Sequence, residues 1–260
     1  LSSIRINIAQ TNSKPPIGHL FLELDQTHST NTHAMNQIQS KLAEHGNAYF
    51  AHQQTAGKGR QGKVWQTEPN ANIILSVVLD ASKLKITQSF AISMMAALAV
   101  KDLLSQYIPQ NISIKWPNDV YYNDSKAAGI LIENKLQGSK WQWCVIGIGI
   151  NINQTNFDKN LLNPTSLACI TQKKYNTLTL AKELCSFLET RYQQLITGNL
   201  QNIIADYNQH LYKRGQLVKL KKNNIAFSCT IQSVNLQGKL QVSDGLQDEF
   251  DYGEVEWILK

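Results

Sequence analysis

The chain has 260 residues, 42% hydrophobic and 17% charged, which is ordinary for a globular chain able to fold as one substantial domain and a small one. No apolar run approaches the roughly 20 residues that cross a bilayer, and residues 1–20 lack the basic flank and continuous apolar stretch of a signal peptide. Membrane-spanning and secreted classes drop out, and a cytoplasmic location is expected. Twenty-five Lys and Arg against 19 Asp and Glu give a net charge of +6, suited to nucleic acid, a nucleotide or an acidic protein partner.

In chain order, residues 20–24 read as a short strand, followed by Thr27-His28-Ser29-Thr30-Asn31, rich in helix N-cap residues. A helix over 31–44 closed by Gly46 is expected, then a strand at 48–51 and a loop from Gln53 to Trp65 without periodicity. The β-branched run at 72–79 predicts a strand covered on both faces. A long apolar helix over 86–107 repeats Phe90, Met94, Leu98 and Leu104 at helical spacing. Strands at 112–116, 128–135 and 141–151 follow, then helices at 178–196 and 200–212. After Gly215 the pattern changes to short alternating strands, with turns at Asn223-Asn224, Gln237-Gly238 and Asp244-Gly245. Lys219, Lys221 and Lys222 fall on the wet side of the first of these. The reading is α+β: a mixed β-sheet with helices packed on it over residues 1–212, and a small SH3-like β-barrel over 213–260.

Cys144, Cys169, Cys185 and Cys229 form no C-x-x-C pair and have no histidine at ligand spacing, so they read as reduced core thiols. His28 and His33 lack the i, i+4 spacing and the glutamate of a zinc helix, so no permanently bound metal is expected.

The glycine loop fits three known patterns and lacks the context of each. As Gly57-x-Gly59-x-x-Gly62 it matches a dinucleotide fingerprint, yet Pro69-Asn70 follows where a helix must begin. No H-R-D or D-F-G accompanies it as in a kinase. Val64 stands where a Walker A motif needs a hydroxyl for magnesium. What survives is a loop with close-approaching backbone amides and three cations, Lys58, Arg60 and Lys63, able to wrap a phosphate chain.

Lys115-Trp116-Pro117-Asn118-Asp119 ends an apolar strand, and Pro117 stops the ladder so that Asn118 and Asp119 project from its end. Lys126 precedes a core strand that runs on through Gly129. Gly147-Ile148-Gly149-Ile150-Asn151 ends a third strand, its small residues leaving room for a flat ligand. Three strand ends thus bring Asp, Lys and Asn toward one cleft.

Four ordered motifs together resemble the biotin protein ligases: Ser29-Thr30-Asn31; Gln54-x-Ala56-Gly57-x-Gly59-Arg60-x-Gly62-x-x-Trp65; Lys115-Trp-Pro-Asn-Asp119 with Lys126-x-x-Gly129-Ile130-Leu131; and Gly147-x-Gly149-x-Asn151. The resemblance implies the fold these ligases share with class II aminoacyl-tRNA synthetases. It also implies a two-step reaction, in which biotin and MgATP form biotinyl-5′-AMP and a lysine of a biotin carboxyl carrier domain of acetyl-CoA carboxylase then takes the biotin. It assigns Ser29, Thr30, Asn31, Gln54, Gly57, Lys58, Gly59, Lys126 and Gly129 to biotin, and Arg60, Lys63, Trp65, Asn118 and Asn151 to ATP and the adenylate, with Trp65 covering the adenine. Lys126, Arg60 and Asp119 become the catalytic set, and Asp119 the group nearest a magnesium that enters with ATP. Lys58, Gln61 and Lys63 stand where many members have arginine, and Ala127 where leucine is common, so Arg60 is the main guanidinium. Lipoate or octanoate transfer on the same fold, and a biotin-binding module without chemistry, are the alternatives. A DNA-binding repressor is not expected, because only about twenty residues precede the first strand and Pro15-Pro16 interrupts them. A homodimer is left open.

Overall fold

The strand at 73–80 becomes the middle of the molecule because all but its last residue is buried. In the computed structural model, which describes residues 14–259, a seven-stranded sheet runs in the order β1-β2-β3-β7-β6-β5-β4. Its strands are β1 (Phe21–Thr27), β2 (Ala48–Gln54), β3 (Ile73–Asp80), β4 (Ile112–Lys115), β5 (Asp119–Tyr122), β6 (Ser125–Gln137) and β7 (Lys140–Ile150). β1 and β2 are parallel and the remaining neighbours antiparallel, so the sheet is mixed, as the sequence predicts. Residues 1–13 and 260, which the expected domains also include, lie outside the described residues.

The period of two along each strand sorts side chains between the faces. Ile73, Leu75, Val77 and Leu79 of β3 and Cys144, Ile146, Ile148 and Ile150 of β7 join the large core. That core is closed by α2 (Ser89–Ser105), α4 (Thr177–Ile196) and α5 (Leu200–Gln209). Leu98 of α2 is fully buried there, and truncating such a side chain to alanine costs about 2–5 kcal/mol. On the other face, Val78, Val145 and Tyr49 pack with Ala34 and Ile38 of α1 (Thr30–Gln39). α1 covers only part of this face. The same alternation turns Ser76 and Gly147 toward the start of α1, and Gly149, Gly129 and Glu133 toward the glycine loop and Trp65.

A second, antiparallel sheet has the order β11-β10-β9-β8-β12: β8 (Leu217–Lys222), β9 (Ile225–Val234), β10 (Leu240–Ser243), β11 (Glu249–Phe250) and β12 (Glu256–Trp257). Asn223 and Asn224 both take positive φ, 49° and 64°, in the β8–β9 turn, where asparagine tolerates the left-handed region. The two sheets are docked. Asn208 of α5 accepts from Val234 N at 2.7 Å and donates to Val234 O at 3.0 Å. Trp116 Nε1 donates to Gly238 O at 2.9 Å. Gly238 is fixed as glycine twice over, by φ of 85° and by Phe90, whose ring would stand 2.4 Å from an added Cβ.

Several boundaries differ from the sequence reading. α1 stops at Gln39, short of the expected 44, because Lys41 turns left-handed at φ 59° and Leu42 is left 67% exposed. A single 3₁₀ turn, Ile86–Gln88, precedes α2. β5, β12 and α3 (Leu167–Thr171) are additional elements. α5 ends at Gln209, and the chain leaving it runs beside β4 in parallel: Ile114 N donates to His210 O at 2.8 Å and Tyr212 N to Ile114 O at 2.9 Å.

Candidate active site

The register across four strands sets the floor of the site. Ile74 of β3, Gly149 of β7, Gly129 of β6 and Asp119 of β5 lie side by side, and Ser76, Gly147 and Leu131 form the next row. The glycines are not vacant space for a flat ligand, as the sequence suggests. A Cβ on Gly147 would stand 2.2 Å from Asn31 Oδ1, and one on Gly149 would stand 2.3 Å from the Trp65 ring. Their smallness admits the chain's own Asn31 and Trp65. Gly129 is crowded likewise, by Trp65 at 3.0 Å and Lys126 Nζ at 3.4 Å.

Pro117, in a cis peptide with Trp116, does end β4, but Asn118 and Asp119 do not project from a free strand end. The chain reverses at once and Asp119 opens β5, opposite Lys115. Lys126, beside the bulge in the β5–β6 pairing, reaches back to Asp119 with Nζ 2.8 Å from Oδ1. Its main chain is pinned by Lys126 N donating to Asn163 O at 2.7 Å and Thr165 N to Lys126 O at 2.9 Å. Asn118 and Asn151 serve this frame: Asn118 Nδ2 donates to Ile130 O at 2.8 Å, and Asn151 Nδ2 to Thr165 O at 2.9 Å. Half-buried Lys115 lies 5.4 Å and 5.2 Å from the ring centroids of Tyr121 and Trp257. Burial pushes its ammonium pKa down to about 8, with Asp119 opposing and the positive charges of Lys126 and Lys63 adding to the depression.

At the start of α1, Ser29, Thr30 and Asn31 are all buried. Ser29 occupies the N-cap position, yet its side chain makes no capping bond, so helix capping does not account for it. Gln54 Oε1 accepts from Thr30 N at 2.8 Å and lies 3.2 Å from Thr30 Oγ1. Ser76 Oγ is 2.7 Å from Thr30 Oγ1 and 2.6 Å from Asn31 Oδ1. Asn31 Nδ2 donates to Glu133 Oε2 at 2.7 Å, and Lys58 Nζ is 3.9 Å from Glu133 Oε1. The expected residues Thr30, Asn31, Gln54 and Lys58 thus share one polar network, joined by Ser76 and Glu133, which the sequence reading missed. Ser76 had a signal, as the lone hydroxyl in an apolar strand.

The glycine loop is more ordered than its lack of periodicity suggests. Lys58 and Val64 form an antiparallel bridge, Gly59 N donates to Lys63 O at 2.6 Å, and Trp65 N to Gly57 O at 3.0 Å. Arg60–Gly62 is a 3₁₀ turn with left-handed Gln61 and Gly62 at its tip. The loop is a small hairpin. It borders a cleft of about 860 Å³ whose far wall includes Leu131, Glu133 and Tyr252. Arg60 is not free in it: its Cζ lies 3.2 Å from the ring centroid of Tyr252, in the loop after β11. Burial lowers the guanidinium pKa, and Tyr252 and Asp119 raise it. Trp65 lies over the floor with Lys126 Nζ 5.6 Å from its ring. Lys63 sits close enough to Lys115 to depress its pKa.

The sequence model of the Biotin/lipoate A/B protein ligase family matches residues 23–151, which hold every motif residue on this floor. Biotin--[acetyl-CoA-carboxylase] ligase of Mycobacterium tuberculosis is 32% identical over 199 residues, 75% of this chain and 72% of that protein. The chain belongs to the biotin/lipoate A/B protein ligase family. Another member, the bifunctional ligase/repressor BirA of Bacillus subtilis, is 28% identical over 217 residues, covering 82% of this chain and 66% of its own length. The chain thus spans a little under two thirds of BirA from two Bacillus species. Among solved members of the family, biotin protein ligase from Aquifex aeolicus in complex with biotin and ATP superposes with a TM-score of 0.76 at 21% identity. It covers 92% of this chain and 98% of that one, and shows that the fold is common to both.

Proposed function

We propose that the protein is a biotin protein ligase, joining biotin to AMP and then to a lysine of a biotin carboxyl carrier domain of acetyl-CoA carboxylase. The observation that carries this is the Lys126–Asp119 pair, 2.8 Å apart, set at the edge of the Trp65-covered floor and within the electrostatic reach of Arg60. Adenylation needs a carboxylate oxygen and an α-phosphate brought together, although both are negative. A fixed ammonium between them, with a guanidinium above, lowers that repulsion directly. In step one a biotin carboxylate oxygen bonds to the α-phosphorus and pyrophosphate leaves. In step two the carrier lysine's neutral amine attacks the acyl carbon, AMP leaves with the bonding pair, and the amine's proton is lost.

The polar network of Thr30, Gln54, Asn31 and Ser76, with Ser29 beside it, suits a ureido head that donates and accepts at once. Gly57, Lys58 and Gly59 close one side of that pocket, and the cleft between the hairpin and Leu131 suits an aliphatic tail. Trp65, lying over the floor beside Lys126, is read as the residue that covers the adenine. Arg60 and Lys63, which line the cleft, are read as facing the phosphates, while Asn118 and Asn151 hold the strands that present Lys126. Among the described residues no group of three or more His, Cys, Asp or Glu could cage a metal. Mg²⁺ is read as entering on the ATP phosphates, with Asp119 the nearest carboxylate. We further read residues up to 212 as the catalytic domain and 213–260 as an SH3-like barrel, in a cytoplasmic protein.

Biotin-dependent exchange of labelled pyrophosphate into ATP tests the reading. Exchange driven by biotin supports it; exchange driven by lipoate or octanoate alone, or biotin binding without exchange, overturns it.

A further inference from the structure

The glycine loop and the second sheet are remote in sequence, yet they meet at one contact. Arg60 lays its guanidinium on the face of Tyr252, 3.2 Å from the centroid. Tyr252 is itself braced from the ligase floor, its ring edge-on to Trp116 at 6.3 Å, and Trp116 holds Gly238 O through Nε1. Next to it, a Cβ on Gly253 would stand 3.2 Å from Gln61 Nε2, so the tip of the hairpin also touches this segment. Tyr252 is 41% exposed, so its ring is spared from core packing and available as a surface for the loop. Asp119 and Tyr207 both favour the charged guanidinium, against the burial that disfavours it.

We propose that Tyr252 is a positioning residue for Arg60: its ring holds the glycine hairpin down over the cleft, so that the second sheet controls how long the activated intermediate is retained. The second half of this claim builds on the biotin ligase reading; the first does not. A flat guanidinium on an aromatic face gains from both the ring quadrupole and planar contact. An edge of leucine or alanine offers neither. The stack therefore predicts a dependence on the π face and not on bulk, which a merely structural role would not show.

Two measurements separate these halves. Trypsin can cut after Lys58, Arg60 and Lys63 when the hairpin lifts, and needs no ligand to report it. Tyr252→Ala and Tyr252→Leu should each speed this cleavage about fivefold to tenfold, whereas Tyr252→Phe, which keeps the ring and loses only the hydroxyl's contact with Arg60, should restore most of the wild-type rate. On an Arg60→Gly background, Tyr252→Ala should add nothing to cutting at Lys58 and Lys63. Unchanged cleavage in Tyr252→Ala, restoration by leucine as well as phenylalanine, or additive effects would each overturn the holding contact. Release of preformed biotinyl-5′-AMP, followed by chase, should accelerate by a similar factor in Tyr252→Ala. Faster cleavage with unchanged release would overturn the retention claim. Absence of biotin-dependent exchange in the wild type would overturn the ligase reading, while the cleavage series still decides the contact.

Discussion

Lys126 Nζ and Asp119 Oδ1 form an ion pair 2.8 Å apart across adjacent strands, which draws the ammonium toward one position before any substrate arrives, although the contact lacks the alignment of a hydrogen bond. A side chain as mobile as lysine would otherwise lose rotamer freedom at the moment of reaction. Lys126→Ala is expected to lower biotin-dependent pyrophosphate exchange by ~100-fold, the scale on which one transition-state donor acts. Asp119→Asn should leave the ammonium less well fixed and cost less. Near-normal exchange in Lys126→Ala would remove this residue from the mechanism.

Ser76 joins Thr30 to Asn31 at 2.7 and 2.6 Å while fully buried. Ser76→Ala leaves two polar groups short of a partner, which costs about 1–3 kcal/mol. Part of that loss should appear in biotin binding, as a roughly tenfold weaker Kd by calorimetry. Loss of stability with biotin affinity intact would confine Ser76 to the scaffold.

Gly149 cannot gain a methyl group without moving the indole of Trp65, which an added Cβ would meet at 2.3 Å. Gly149→Ala is expected to cost about 1–3 kcal/mol, the usual penalty of overpacking. Adding Trp65→Leu should restore much of the stability by chemical denaturation without restoring exchange. If the double variant is as unstable as the single, the indole is not what the glycine accommodates.

Burial holds the Lys115 pKa at about 8 instead of the ordinary 10.5. Below pH 8 both folded and unfolded chains carry this proton, and the burial penalty is present in full. Between about 8 and 10.5 the unfolded chain binds a proton that the folded one has released, so this group makes the folded state gain stability as pH rises. Urea melts at pH 7.5 and 9.5 should show a contribution of up to about 2 kcal/mol that Lys115→Met abolishes. Equal pH dependence in both proteins would show that Lys115 does not titrate in this range.

Much of this architecture is legible along the chain because it is periodic. The β3 and β7 runs, the apolar length of α2 and the change of rhythm after Gly215 each declare an element. The floor of the site was legible as motifs in that Lys126 and Asp119 do come together, although Asp119 does so from the start of β5 and not from the free strand end that Pro117 suggests. Three things were not. β5 is four residues long between Pro117 and a left-handed Asn123, too short for alternation to register. The glycines at 147 and 149 signal missing bulk but not what fills the gap, because Asn31 and Trp65 arrive from distant segments. Tyr252 carries no motif at all, and its meaning depends on how the second sheet docks through Asn208 and Trp116.

The main-chain bonds by which Ile114 grips the chain at 210–212 have a consequence for solubility. β4 is the last strand of the large sheet, and a bare terminal strand offers its amides and carbonyls to any extended peptide that drifts past. By running alongside as a one-residue extra strand, Leu211 denies that template to other molecules. The tether to the C-terminal sheet is thus a guard against aggregation. Shortening the protein to end before Leu211 would strip the guard and leave a sticky border along β4.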